Sequence, residues 1–265
     1  MNILIRELQA NLKSILIWSF SMIFLVYVGM LKYSGFAGAG TGVNDLFNQF
    51  PPAIKSILGL VDLDLTSIIG YYAVFYLYFM ILAAIHAIML GTVIISKEEG
   101  DKTADFLFVK PVLRSKIITA KLLATLINII IFNLVTLLSS IVFIAMFNQG
   151  EPITTQILQL MIALFIIQLI FAAVGAGTGA LTRKLKRATS ISAAIVLVTF
   201  IISVAVDLYS KIDFLTYVTP FKYFPAVDII KTGTYESSFL VLSFILIILF
   251  IGITYRFMEK RDINV

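Results

Sequence analysis

The chain has 265 residues, of which 60% are hydrophobic and only 13% are charged, whereas an average soluble domain carries about 25% charged residues. So few charged residues could not cover the surface of a water-soluble domain that must also bury 22 Phe side chains. The composition therefore excludes a water-soluble globular protein. The net charge is +5, but the chain has no hydrophilic domain that could present a basic surface. This argues against nucleic acid as a partner. The absence of Cys excludes disulfides and thiolate metal sites.

The first residues of the chain alternate apolar and charged side chains at helical spacing. The charged ones are Arg6, Glu7 and Lys13, and the apolar ones are Ile3, Leu4, Leu8, Leu12 and Ile15. This pattern predicts an N-terminal amphipathic helix that lies in the membrane interface before the first span. The alternative is that these residues are simply the start of the first membrane helix.

Six uncharged stretches are long enough to cross a bilayer core about 30 Å thick, which requires roughly 20 apolar residues of helix. Trimmed to their apolar parts, the predicted spans are 15–33, 71–95, 122–147, 156–182, 189–207 and 238–256. The sequence therefore predicts an all-α membrane protein in which residues 1–265 form one transmembrane domain.

The positive residues indicate the orientation, because Lys and Arg are retained on the cytoplasmic side of a membrane. Fifteen of the 20 Lys and Arg residues lie in the terminal segments and in the second and fourth loops, which six crossings place on one side. We therefore expect a multi-pass protein of the cell membrane with both termini in the cytoplasm. The excess of basic residues is then a topology signal, with the lipid bilayer as a partner.

Two outer loops contain apolar segments. The loop 34–70 combines a Gly-rich start with an amphipathic stretch around Pro51 and Pro52, which predicts a connector resting on the outer headgroups. The stretch 207–237 is rich in aromatic residues and is divided by Pro220 and Pro225. It predicts one or two short re-entrant helices, and an aromatic belt is the alternative.

The cytoplasmic segment 97–116 has the highest density of charge in the chain. Its acids come early and its bases late, as a helix dipole favours, and Pro111 is expected to end the helix. Phe106 and Leu107 are too apolar for a helix that faces only water. Two interpretations compete: these side chains enter the inner headgroup region, or they bind a groove on a partner protein.

The same segment resembles the ABC-type-2 permease family, the membrane subunits of ATP-binding cassette transporters. Members of that family share a pattern between the second and third spans. It consists of a Glu-rich turn, a Gly, a Thr, a Leu, then Pro-x-x-Arg and a later Lys. The matching positions here are Glu98, Glu99, Gly100, Thr103, Leu107, Pro111, Arg114 and Lys121. The stretch Thr219-Pro220-Phe221-Lys222-Tyr223-Phe224 and the six crossings extend the resemblance over nearly the whole chain. Asp101 and Lys102 interrupt the motif, where many members have Gly and Thr adjacent.

The resemblance implies a permease subunit, mostly of exporters, that docks on a dimer of separate cytoplasmic ATPase subunits through a coupling helix in segment 97–116. ATP and Mg²⁺ would be used by those subunits, since this chain has no Walker pattern, and the chain itself would bind no cofactor. A second permease subunit, identical or homologous, completes the family's assembly. The residues expected to take part in coupling are Glu98, Glu99, Gly100, Thr103, Asp105, Phe106, Leu107, Pro111 and Arg114.

By the same resemblance, the second and fifth spans are expected to face the substrate path and the partner subunit. The candidate path residues in the second span are Tyr72, Tyr76, Phe79 and Met80. In the fourth span, Gly175 and Gly179 have the small-xxx-small spacing that permits close helix packing, within the subunit or at a dimer seam.

An ATP-independent secondary carrier or channel is the alternative function. It would require paired intramembrane charges or matched broken helices in the two halves, and the sequence has neither. An intramembrane enzyme would require a constellation of catalytic groups, whereas His86 is the only His in the chain. No catalytic residue and no metal site is therefore predicted.

Overall fold

The computed structural model describes residues 3–38, 42–60, 64–100, 113–148, 150, 152–182 and 184–260. Over these residues it contains helices and no strand, and six helices are long and apolar enough to cross a membrane. The six are Ile3–Gly38 (α1), Ile68–Gly100 (α4), Arg114–Ala145 (α5), Thr154–Leu181 (α6), Leu185–Leu208 (α7) and Ser237–Glu259 (α9). The prediction of an all-α chain with six apolar helices is confirmed.

The shorter elements lie in the two predicted outer loops. They are the α-helices Gly42–Asn48 (α2), Pro52–Leu58 (α3) and Ala226–Thr232 (α8), and the 3₁₀ helices Ser210–Val218 and Pro220–Lys222. Pro51 and Pro225 each immediately precede one of these helices, where a missing backbone N–H costs nothing.

The N-terminal residues differ from the expectation of a separate interfacial helix. Residues Ile3–Gly38 form one continuous helix of 36 residues, about 54 Å long by the helical rise. The sequence explains the continuity, since it has no Pro before Pro51 and no Gly before Gly29. The alternative, an extended start of the first membrane helix, is the arrangement found.

The centre of the bundle is formed by α4 and α6, which pack against each other along their length. Helix α1 packs mainly on α5, α9 packs on α6, and α7 packs on α4. Most of the buried apolar side chains form one continuous cluster around the central pair. The remaining helices therefore surround a core built from the second and fourth spans.

The loop before α4 is held by hydrogen bonds to its polar side chains. Ser67 caps α4, since its Oγ accepts a hydrogen bond from the Gly70 backbone N–H at 3.1 Å. The Asp64 carboxylate accepts hydrogen bonds from the Asn44 amide at 2.6 Å and from the Thr66 hydroxyl at 2.7 Å. These bonds connect α2 to the start of α4.

The stretch between α7 and α9 contacts the helix bundle through buried side chains. Thr219 is buried, and its hydroxyl donates a hydrogen bond to the Thr199 carbonyl at 2.8 Å. Thr199 lies nine residues before the end of α7, which is about 14 Å along the helix. Phe221 is also buried, with its ring 5.3 Å from Phe171 of α6. Thr219 and Phe221 thus contact α7 and α6 at positions away from the ends of those helices.

Candidate coupling site

The structure describes the two ends of segment 97–116 but not its middle. Glu98, Glu99 and Gly100 form the last turn of α4, and Arg114 is the first residue of α5. The other predicted coupling residues lie outside the described residues: Thr103, Asp105, Phe106, Leu107 and Pro111. The geometry of the candidate site is therefore that of its two anchoring ends.

A buried carboxylate fixes the α4 end. Glu7 of α1 is fully buried, and its carboxylate forms an ion pair with the ammonium of Lys97 in the last turns of α4. The Arg6 guanidinium donates a second hydrogen bond to the same carboxylate at 3.1 Å. Because a buried charge is costly unless it is paired, this ion pair holds the end of α4 against α1.

A buried ammonium lies beside this pair on α5. Lys121 is 1% exposed, donates a hydrogen bond to the Ile94 carbonyl of α4, and interacts electrostatically with Glu7. Three helices thus meet at one group of charges, which we call the buried charge cluster: Arg6, Glu7, Lys97 and Lys121.

The α5 end of the segment is attached to the last membrane helix. The Arg114 guanidinium donates a hydrogen bond to the Glu259 carbonyl at 3.1 Å. One turn further, the hydroxyls of Thr119 and Tyr255 are 2.7 Å apart. The end of α9 therefore contacts α5 where segment 97–116 rejoins the bundle.

Sequence reasoning did not identify Glu7 as part of this site. A signal was present, since Glu7 is the only acid among the first 44 residues. Its partner Lys97 is 90 residues away, however, and sequence spacing alone gives no indication of that pairing.

Close backbone contact joins the central helices at the predicted small residues. A Cβ atom on Gly175 would lie 2.2 Å from the Ile88 carbonyl oxygen, and one on Gly179 would lie 2.7 Å from the Thr92 carbonyl oxygen. On the other helix, a Cβ on Gly91 would lie 2.2 Å from the Ala172 carbonyl oxygen. Both predicted glycines thus lie at the contact of α6 with α4 of the same chain.

The candidate path residues lie inside the bundle. Tyr72, Tyr76, Phe79 and Met80 are each at most 3% exposed and belong to the main apolar cluster. The Tyr72 hydroxyl donates a hydrogen bond to Ser140 Oγ of α5 at 2.8 Å. The chain's own helices therefore cover these four side chains.

The remaining polar groups within the spans make helix contacts. The Asn133 amide donates a hydrogen bond to Gln168 Oε1 at 2.7 Å, which joins α5 to α6. His86 is buried, with ring centroids 4.6 Å from Phe132 and 5.5 Å from Trp18. In the described part of the chain, no three His, Asp or Glu side chains come close enough to hold a metal ion.

Six apolar helices around a tightly packed central pair define the class as a multi-pass helical membrane protein. The family described as ABC-2 family transporter protein matches residues 1–263, and the chain therefore belongs to this family of ABC transporter membrane permeases. Comparison with curated proteins gives no match. The resemblance inferred from the motif of segment 97–116 is thereby confirmed at the level of the family.

Proposed function

We propose that this chain is the permease subunit of an ATP-binding cassette exporter of the cell membrane, with both termini in the cytoplasm. It would form the substrate path together with a second permease subunit, identical or homologous. Energy would come from a dimer of separate ATPase subunits, which bind ATP and Mg²⁺. The observation that carries the proposal is the anchoring of both ends of segment 97–116 to other membrane helices.

The two anchors suggest how a push on the segment would be transmitted. A movement of the α4 end would act on α1 through the ion pair of Lys97 with Glu7. A movement of the α5 end would act on α9 through the hydrogen bond of Arg114 to Glu259. Docking of an ATPase on Phe106 and Leu107 would thus bias four helices together between two arrangements of the bundle.

The path is proposed to open along α4. Tyr72, Tyr76, Phe79 and Met80 are covered by the chain's own helices, so they would meet a substrate only after α4 moves relative to its neighbours. The stretch around Pro220 is proposed to be re-entrant from the outer side. Its support is the hydrogen bond of Thr219 to Thr199, about 14 Å inside the end of α7.

Coupling is tested by purifying the tagged chain from its native cells in mild detergent and measuring the ATPase that accompanies it. We expect Phe106→Glu and Leu107→Glu to abolish co-purification, because a charge would be placed in an apolar contact. The matched control is Phe214→Glu, since Phe214 is 66% exposed on the outer 3₁₀ helix. Transport-competent protein with no associated ATPase would instead favour the carrier or channel.

Orientation is tested by labelling single cysteines, for which the Cys-free chain gives no background. In intact cells, an impermeant maleimide should label Lys55→Cys and Phe214→Cys but not Lys102→Cys. Phe221→Cys should be protected if the stretch around Pro220 is re-entrant. Labelling of position 102 from outside would contradict the proposed orientation.

A further inference from the structure

The turn between α6 and α7 carries the densest group of positive charges in the chain. Four of the five residues from 183 to 187 are basic: Arg183, Lys184, Lys186 and Arg187. No Asp or Glu occurs from 152 to 206, so this group has no acid close to it in the sequence.

The described members of this group lie on the surface of the chain. Lys184, Lys186 and Arg187 are exposed, and their charged groups make no hydrogen bond or ion pair with the described part of the chain. Lys97 and Lys121, in contrast, are both engaged in the buried charge cluster. The basic residues of this membrane face therefore fall into two groups. Some bind other groups of the chain, and those of the α6–α7 turn have no such partner among the described residues.

The short connection places these charges at the membrane surface. Helix α6 ends at Leu181 and α7 begins at Leu185, so only three residues separate two membrane-spanning helices. The stretches 152–182 and 188–206 on either side contain no charged residue. The cations thus lie within about one helical turn of the apolar spans, at the depth of lipid phosphates.

We infer that the α6–α7 turn binds the phosphate-bearing headgroup of an acidic phospholipid. The three described cations of the turn, Lys184, Lys186 and Arg187, match a headgroup with two phosphates, such as that of cardiolipin. The inference depends only on the position of the turn at a membrane surface. It can therefore fail or succeed independently of the proposed coupling to an ATPase.

Acidic residues at the end of α4 are tested as competing anions within the chain. The hydroxyls of Thr92 in α4 and Ser192 in α7 are 2.7 Å apart. As the second and fifth of six successive spans, α4 and α7 run in opposite directions. The last turn of α4, which contains Glu98 and Glu99, therefore ends close to the first turn of α7. The experiment includes a variant that removes these two charges.

The test is a titration of the detergent-purified full chain with fluorescent cardiolipin, with phosphatidylcholine as the neutral lipid and inorganic phosphate as competitor. The variant Lys184→Gln, Lys186→Gln, Arg187→Gln removes three cations of the turn. The matched control, Lys13→Gln, Lys116→Gln, Lys260→Gln, removes three exposed cations that lie on separate helices or helix ends of the same membrane face. Thermal unfolding of each variant verifies that it is folded.

We expect the turn variant to bind cardiolipin on the order of a hundredfold more weakly at low salt, which is about fivefold for each cation removed. The affinity of the control variant should change by less than about threefold. Equal losses in both variants would overturn the inference, because they would reflect net charge alone. Displacement by inorganic phosphate at concentrations similar to the lipid would also overturn it. So would a gain of about tenfold or more for Glu98→Gln, Glu99→Gln, because the cations would then be neutralised within the chain.

Discussion

Two central helices, α4 and α6, differ in their surroundings from two peripheral helices, α7 and α9, although all four are apolar enough to span a membrane. In their most apolar parts, 72% of α4 and 67% of α6 is buried within the chain, against 17% in each of α7 and α9. Apolarity therefore specifies which segments cross the membrane and not which of them form the core. Since lipid is as apolar as a Leu side chain, close packing has to select the central pair.

Small residues account for this selection. Gly91, Gly175 and Gly179 permit backbone contact between α4 and α6, whereas Gly252 of α9 has open space where its Cβ would be. Charged residues also differ in how far the chain surrounds them. Lys121 is buried near Glu7, whereas Lys186 on α7 is exposed and lies in a group of cations without an acidic partner in the described residues.

The largest effect is expected when the buried charge cluster loses its only acid. Glu7→Gln removes the carboxylate that pairs with Lys97 and interacts electrostatically with Lys121, and we expect a loss of about 3 kcal/mol in stability, at the lower end for a broken buried pair because Lys97 is partly exposed. Thermal unfolding in detergent measures it. The control Lys13→Gln, at an exposed position of the same helix, should leave the unfolding temperature nearly unchanged.

A double variant sharpens this prediction. Lys121→Met in the Glu7→Gln background should recover part of the lost stability, since it removes a buried ammonium that has lost the carboxylate of Glu7. Additive losses in the double variant would contradict the assignment of Glu7 and Lys121 to one cluster.

The next-largest effect is expected at glycines, where the contact between α4 and α6 is compared with the exposed helix α9. Gly175→Ala would place its Cβ 2.2 Å from the Ile88 carbonyl oxygen, and we expect a loss of about 1–3 kcal/mol because the backbone must move. Gly252→Ala meets no atom within 4 Å and should stabilise α9 by up to about 1 kcal/mol through helix propensity. Unfolding temperatures that shift in the same direction would contradict the difference between the two regions.

The smallest effect is expected in the loop before α4, where Asp64 joins α2 to α4. The hydrogen bond from the Asn44 amide, with those from Thr66, lowers the pKa of the Asp64 carboxyl below its ordinary value. Its stabilising contribution is therefore present above about pH 4, the ordinary range of Asp, and is lost as the pH falls through the lowered pKa. Asp64→Asn should lower the unfolding temperature slightly at neutral pH, and the difference from the unmodified chain should disappear in acid.

The sequence predicted the elements better than their contacts. Scarce charges delimit the spans because a charge within a bilayer core is costly, so the six helices could be identified from residue types alone. The sequence also contains the information that α1 is continuous, since no Pro or Gly interrupts its first 26 residues. The pairing of Glu7 with Lys97 was not, because it connects residues 90 apart through the packing of three helices.

The same limit applies to the central pair. The spacing of Gly175 and Gly179 indicated close packing but left open whether the partner was another helix of the chain or a second subunit. Only the fold identifies the carbonyls of Ile88 and Thr92 as the groups that these glycines approach.

We propose that a separate ATPase engages this permease at segment 97–116. The most direct measurement is photo-crosslinking in native cells, with benzoyl-phenylalanine placed at Phe106 and, as a control, at Tyr217, which is 59% exposed on the 3₁₀ helix Ser210–Val218. The account predicts a crosslinked protein with nucleotide-binding motifs at position 106 and none at position 217. It would be contradicted if position 106 captured no ATPase, or if both positions captured it equally.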